Sequence, residues 1–296
     1  MNKGLLYGLG AYAIWGLLPL YWRALDTVPP LEILAHRIVW ALLITISLVA
    51  LRRGGWAWLW AALRKPLTIL AFVLSSLLLS ANWWIYIWGV NNGHVVETSL
   101  GYFINPLVNV LLGVIFLRER LRPGQALAVL VAVCGVLYLT VQLGTPPWIA
   151  LSLAFSFAFY ALLRKTASLG SLDGLTLETM LMALPALGYL LFLESQGRGA
   201  FPHAGLTTNL LLIGSGVITA APLLLFAAGA RRATLTSMGF LQYIAPSVQF
   251  ALGLTVFGEP LSLQRLIGFI LVWSALVIYT LEGTIQGTRA ARARAA

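Results

Sequence analysis

Ten stretches of this chain each run close to the roughly 20 residues a helix needs to cross a hydrocarbon layer, and charges are scarce within them. They cover 4–25, 31–51, 66–89, 95–117, 124–141, 147–164, 174–193, 206–229, 234–257 and 262–282. Short connectors join them, so nearly all 296 residues are used. Where water is absent, a helix satisfies its own backbone hydrogen bonds within one segment. The pattern therefore predicts an all-α integral membrane protein with ten transmembrane helices. Composition excludes the soluble alternative. Only 9% of residues are charged and 60% are hydrophobic, against roughly a quarter charged in soluble domains.

Punctuation supports the spans. Pro29 and Pro30 precede the second, Pro66 opens the third, and Pro146 and Pro147 precede the sixth. Between the second and third, Trp56, Leu59, Trp60 and Leu63 share one helical face, flanked by Arg52, Arg53, Arg64 and Lys65. That pattern reads either as a short helix in the membrane interface or as aromatic-belt residues in a loop. Residues 4–25 lack a small-residue cleavage pattern and read as a mature helix.

The net charge of +10 would suit nucleic acid in a soluble protein, but basic residues in a membrane protein mark cytoplasmic loops. Fifteen Lys and Arg residues fall on one side: Lys3, the four just named, Arg118, Arg120, Arg122, Arg164, Lys165, Arg231, Arg232, Arg289, Arg292 and Arg294. Arg23, Arg198 and Arg265 fall on the other. Both termini are thus expected in the cytoplasm, with lipid and not nucleic acid as the surroundings. Cys134 is the single cysteine, and the three histidines are scattered. Neither a disulfide framework nor a metal site is expected, and no cofactor motif is present.

An internal repeat organises the chain. Residues 91–140 align with 231–280 without a gap, at a constant offset of 140. Pro106 meets Pro246, Gly113 meets Gly253, Glu119 meets Glu259 and Leu121 meets Leu261. An offset of five helices, an odd number, turns the second copy upside down. Inverted repeats of this kind recur in secondary transporters, where pseudo-symmetric halves give two access states around one midplane site. The expected organisation is a first five-helix repeat over 1–145, an inverted second over 146–283, and a basic tail over 284–296.

Polar residues in the spans select candidate sites, because such groups in hydrocarbon face protein or water. Thr98, Tyr102, Asn105 and Asn109 make one stripe on the fourth span, and Gln242 and Gln249 occupy equivalent places on the ninth. These residues, with Tyr243, Asn82 and Tyr86, are expected to line a substrate cavity; interhelical hydrogen bonding is the alternative. Pro106 and Pro246 each remove a backbone hydrogen bond and are expected to kink their helices. Glu32, His36 and Arg37 lie in the first turns of the second span, with Arg37 about 9 Å inside its start. Glu97, beside His94, heads the stripe, and Glu178 lies near the start of the seventh span. These charged residues are candidates either for carrying a coupling proton or for structural ion pairs.

The stretches AYAIWGLLPLYW (11–22), LAHRIVW (34–40), NWWIYIWGVNNGHVVETSLGYFINPL (82–107), LGVIFLRERL (112–121), LAFSFAFYALLRK (153–165) and LQYIAPSVQF (241–250) resemble the RarD-like permeases. These form part of the EamA branch of the drug/metabolite transporter superfamily. The resemblance runs to about residue 282, with Ala161 standing where Gly is expected. It implies ten helices in two inverted repeats around a central cavity, in a bacterial inner membrane, and export or exchange of small metabolites or drug-like solutes by alternating access. An uncoupled facilitator or exchanger remains as an alternative, as does a lipid scramblase or flippase. A membrane enzyme would need a nucleophile–base constellation or a metal cluster, and the sequence offers neither. Reporters fused after Arg53, Arg122, Lys165 and Arg232 should read as cytoplasmic, and those after Gly93, Gly144 and Gly199 as external. A cytoplasmic signal after Gly144 would break the five-plus-five scheme.

Overall fold

The computed structural model describes residues 3–92, 94–144, 146–258 and 263–295. Those residues are helical with short connections, and no strand occurs among them. Nine of their helices are long and apolar enough to cross a membrane. They are α1 (Lys3–Arg23), α2 (Pro30–Leu51), α4 (Pro66–Asn91), α5 (Val95–Leu117), α6 (Pro123–Leu143), α7 (Trp148–Thr166), α8 (Ser171–Ser195), α9 (Leu206–Ala230) and α12 (Leu263–Ala295). Between α2 and α4 lies the short α3 (Ala57–Leu63), and between α9 and α12 lie α10 (Leu235–Gln242) and α11 (Ile244–Thr255). Proline opens α2, α4 and α6, where its missing N–H and fixed φ cost nothing.

Three local outcomes differ from, or decide between, the sequence expectations. The segment 234–257 is not one rod: it breaks at Tyr243 into α10 and α11. Pro246 has no N–H to give to the Gln242 carbonyl, which is the bond a continuous helix needs there. In α5, by contrast, the helix runs on through Pro106. Next, the tryptophan-rich connector does form a helix, α3, with Trp60 and Leu63 exposed, as an interfacial element requires. Finally, Arg164, grouped above with loop cations, is 1% exposed and sits inside the bundle. In the repeat, Glu259 and Leu261 lie outside the described residues.

The bundle exposes large apolar side chains and buries several polar and charged ones beside an apolar core. Leu67, Val141, Leu184 and Leu206 are among the most exposed side chains, while Glu32, Asn109, Arg164 and Glu178 are buried. Helix association in lipid draws on close packing and internal hydrogen bonds rather than on apolar burial. Small residues supply the packing. Gly4 and Gly8 of α1 meet the end of α9, where a Cβ on Gly229 would lie 3.0 Å from the Gly8 nitrogen. The α2–α9 crossing is tighter still: a Cβ on Gly216 would approach the Trp40 carbonyl carbon to 2.6 Å and the Ala41 nitrogen to 2.8 Å.

The helix ends gather on two faces. On one, called here the Arg23 face, Arg23 of α1 meets the Val256 carbonyl after α11 at 3.4 Å, and Glu32 of α2 meets Ala200. On the opposite, Lys165 face, Arg52 pairs with Asp173 at 2.8 Å, and Arg122 pairs with Glu282 at 3.6 Å. Gly216→Ala should lower the melting temperature of the detergent-purified protein, reflecting a loss of about 1–3 kcal/mol from overpacking against backbone. Gly188→Ala, where a Cβ meets nothing within 4 Å, is the control and should leave it unchanged.

Candidate substrate cavity

The half of the bundle nearer the Arg23 face encloses a cavity of about 210 Å³. Its walls come from α1, α2, α4, α5, α7, α9, α10 and α11. Of the residues singled out in the sequence, Asn82, Tyr86, Thr98, Tyr102, Asn105, Gln242 and Gln249 line it, and so does Arg37. Pro246 lies in its wall; Pro106 does not. Asn109 and Tyr243 also fall outside the lining. Asn109 is fully buried and donates to Asn105 Oδ1 (2.9 Å) and Gln242 Oε1 (3.0 Å). The Tyr243 hydroxyl donates to the Phe103 carbonyl at 3.2 Å.

The polar stripe thus has two uses along its length. Its deep end is an amide network that ties α5 to α10, with Asn105 Nδ2 continuing to the Ala154 carbonyl of α7 (3.1 Å). Its upper end, at Tyr102 and Thr98, faces the cavity. Other lining amides are anchored by their N–H groups. Asn82 Nδ2 donates to the Leu153 carbonyl (2.9 Å) and Ser156 Oγ (3.0 Å), and Gln249 Nε2 to the Trp15 carbonyl (3.1 Å). These bonds occupy the amide N–H groups in this state.

Aromatic side chains make up most of the remaining surface. Trp15, Trp22, Trp83, Tyr12, Tyr86, Tyr102 and Phe157 all reach the cavity. The rings of Tyr86 and Tyr102 pack edge-on with centroids 6.0 Å apart, and those of Trp15 and Phe157 at 5.8 Å. Arg37 threads between Trp22 and Trp83, with its guanidinium carbon 4.8 and 5.1 Å from the two ring centroids. Its Nε donates to Thr219 Oγ1 of α9 at 2.9 Å.

The other charged candidates lie away from the cavity. Glu32 accepts the Ala200 N–H at 2.6 Å, and His36 stands 3.9 Å from it. Arg37, one residue further along α2, faces away from both. Glu97 accepts the Ile149 N–H at the start of α7 at 2.7 Å, with His94 at 3.9 Å. Glu178 sits toward the Lys165 face, where it accepts from Ser75 Oγ and lies 3.6 Å from Arg164 Nη1. Among the described residues, no group of His, Cys, Asp and Glu is placed to hold a metal ion.

Several lining residues carried no usable signal in the sequence. Thr219 is one of several hydroxyl residues in α9, and such groups in a helix ordinarily bond their own backbone. Trp15, Trp22 and Trp83 read as interfacial aromatics. Arg164 lies in the last turn of α7, one residue from Lys165, and only the packing of α8 against it shows that it is internal.

Comparison with known proteins fits this architecture. Residues 2–141 match the EamA-like transporter family. Over 294 residues the chain is 49% identical to Protein RarD of Streptomyces exfoliatus, covering 99% of this chain and 92% of that protein. It is 47% identical to the uncharacterized transporter YojE of Bacillus subtilis, over 94% of each. It is 41% identical to Protein RarD of Escherichia coli, over 98% of each. A protein solved by crystallography, 23% identical, superposes with a TM-score of 0.72 over 95% of this chain and 98% of its own, which shows a shared fold. A helical bundle with an apolar exterior, a polar cavity and these relatives is a multi-pass membrane transporter. The chain belongs to the RarD-like permeases of the EamA family.

In a Cys134→Ser background, cysteines at Tyr86, Tyr102 and Gln249 should react with a small water-soluble thiol reagent, because a wet thiol ionises and a buried one does not. Cysteines at Asn109 and at Leu111, which points outward, should not. Equal labelling of all five would remove the case for a water-filled cavity.

Proposed function

We propose that this protein is a secondary transporter that exports small metabolites or drug-like solutes by alternating access, with the cavity as the solute site. The bilayer is a bacterial inner membrane, the Lys165 face is cytoplasmic, and both termini lie there. The observation that carries the reading is one-sidedness: the cavity occupies the half nearer the Arg23 face, and a polar seam closes the other half. In that seam Lys165 Nζ donates to the carbonyls of Ala230 and Ala233. Arg231 Nη1 reaches back to those of Ala167 (2.6 Å) and Leu169 (2.9 Å). Hydrogen bonds to charged groups contribute roughly 1.5–3 kcal/mol each. Opening this side breaks four such bonds, so the opposite state needs compensating contacts on the other face or from a bound solute.

The same reading takes α10 and α11 together as one span, which makes ten, arranged as two inverted repeats of five over 1–145 and 146–283. Reciprocal packing supports it. Under the repeat α5 corresponds to α10–α11, α7 to α1, and α4 to α9. The structure packs α5 on α7 and α1 on α11; it likewise packs α4 on α7 and α1 on α9. The direction, export, follows from the resemblance to EamA permeases. Uncoupled exchange is a second reading with one observation in its favour. Glu32, Glu97 and Glu178 are engaged in bonds away from the cavity and have no direct path to a solute in it.

The test needs no substrate. A single Gln242→Cys, at the cavity floor, should be labelled by an impermeant thiol reagent from either side in right-side-out and inverted vesicles. Joining Lys165→Cys to Ala233→Cys with a short reversible cross-linker should abolish labelling from the cytoplasmic side only, and reductant should restore it. Labelling from one side throughout would sink alternating access.

A further inference from the structure

We propose that the cavity selects organic anions, with Arg37 seating the acidic group of the solute. The proposal rests on the cavity being the transport site and deepens that reading to a substrate class. A cation inside a membrane protein costs several kcal/mol unless it is paired or hydrated, and the other internal cations have strong oxygen partners. Arg164 has Glu178 and the Ser171 carbonyl, and Lys165 has two carbonyls. Arg37 differs from both. Among the described residues no carboxylate lies within ion-pair distance of it, and none of the cavity-lining residues is acidic. Its one hydrogen bond to a side chain uses Nε, which leaves the two terminal nitrogens, the fork that binds a carboxylate or phosphate bidentately.

The surroundings sharpen the selection. Aromatic faces alone would suit a cationic solute, but the guanidinium already occupies the faces of Trp22 and Trp83. A second cation would meet like charge and no acidic partner. A zwitterion would bring an ammonium with nowhere to bond ionically. Tyr86 and Tyr102 line the same cavity as Arg37 and bring phenolic hydroxyls to it. Trp15 and Phe157 supply an apolar wall opposite. One cation, flanking hydroxyls and aromatic walls together describe a site for a singly acidic solute with an apolar or aryl body.

The experiment compares probes of one shape and different charge on the full-length purified protein: 3-phenylpropionate, 3-phenylpropylamine, phenylalanine and 3-phenylpropanol, with phenyl phosphate as the phosphate arm. Quenching of the cavity tryptophans and protection of Tyr102→Cys from thiol labelling report binding. Phenylpropionate or phenyl phosphate should bind at least tenfold more tightly than the amine, the zwitterion or the alcohol, and which of the two wins tells carboxylate from phosphate. Arg37→Gln should remove that preference while Arg37→Lys retains part of it. If the Gln variant fails to fold, the probe series on the wild type and the Lys variant still decides. Equal binding of acid and amine, or no binding by either acid, overturns the proposal. Two-sided labelling of Gln242→Cys with no charge preference would leave the transporter standing and remove only its substrate class.

Discussion

Three carboxylates bonded to backbone N–H groups hold this bundle in register. Glu97 reaches from α5 to the start of α7, where Ile149 would otherwise have an unpaired N–H. Glu119, just past α5, accepts from the Leu235 and Thr236 nitrogens that begin α10, at 2.7 and 3.0 Å. Glu32 binds the Ala200 nitrogen in the connection after α8. The first turn of a helix leaves N–H groups unpaired and carries positive partial charge, so an anion there is doubly favoured. In lipid the effect grows, because water does not compete. With α5 pinned to α7 near one face and to α10 near the other, the cavity between them inherits its shape from two hydrogen-bonded ends.

Those bonds also set the carboxylates apart from Arg37. Glu32 and Glu97 are acceptors for backbone in this state, and Glu178 is held by Ser75 and Arg164. Each thereby fixes one element against another. Arg37 is held differently, by a hydroxyl and two rings. None of these cancels its charge. Among the described residues that line the cavity, Arg37 is the charged one, so the cavity is electropositive.

Most spans and the internal face of α5 were legible in the sequence because lipid enforces simple rules there, although α12 runs on to Ala295, past the expected end at 282, and 234–257 is divided. Segment length follows bilayer thickness, proline marks starts, and polar residues at three- and four-residue spacing must share a face. Partnership was not legible. The Glu32–His36–Arg37 cluster reads as a unit, yet successive residues on a helix point about 100° apart, and Arg37 turns to α9 while Glu32 turns to Ala200. Glu119 showed only as a repeated position, since its role depends on where α10 begins after more than a hundred intervening residues. Asn109 and Asn105 looked equivalent on the stripe. Both are buried, but only Asn105 borders the cavity; α10 closes over Asn109, where a Cβ on Gly239 would lie 2.7 Å from the Pro106 carbonyl oxygen and 3.3 Å from the Asn109 Cβ.

The interruption at Tyr243 bears on how the molecule spends its time. The helices that carry Pro106 and Pro246 are unequal, one continuous through its proline and the other divided ahead of it. Bending at an existing joint is cheap, whereas bending an intact helix sacrifices hydrogen bonds. In the proposed cycle the two orientations therefore differ in free energy, and an empty carrier waits on one side longer than on the other. On that proposal the unequal joints would give the carrier a resting posture, and its solute would meet a carrier already turned to one compartment.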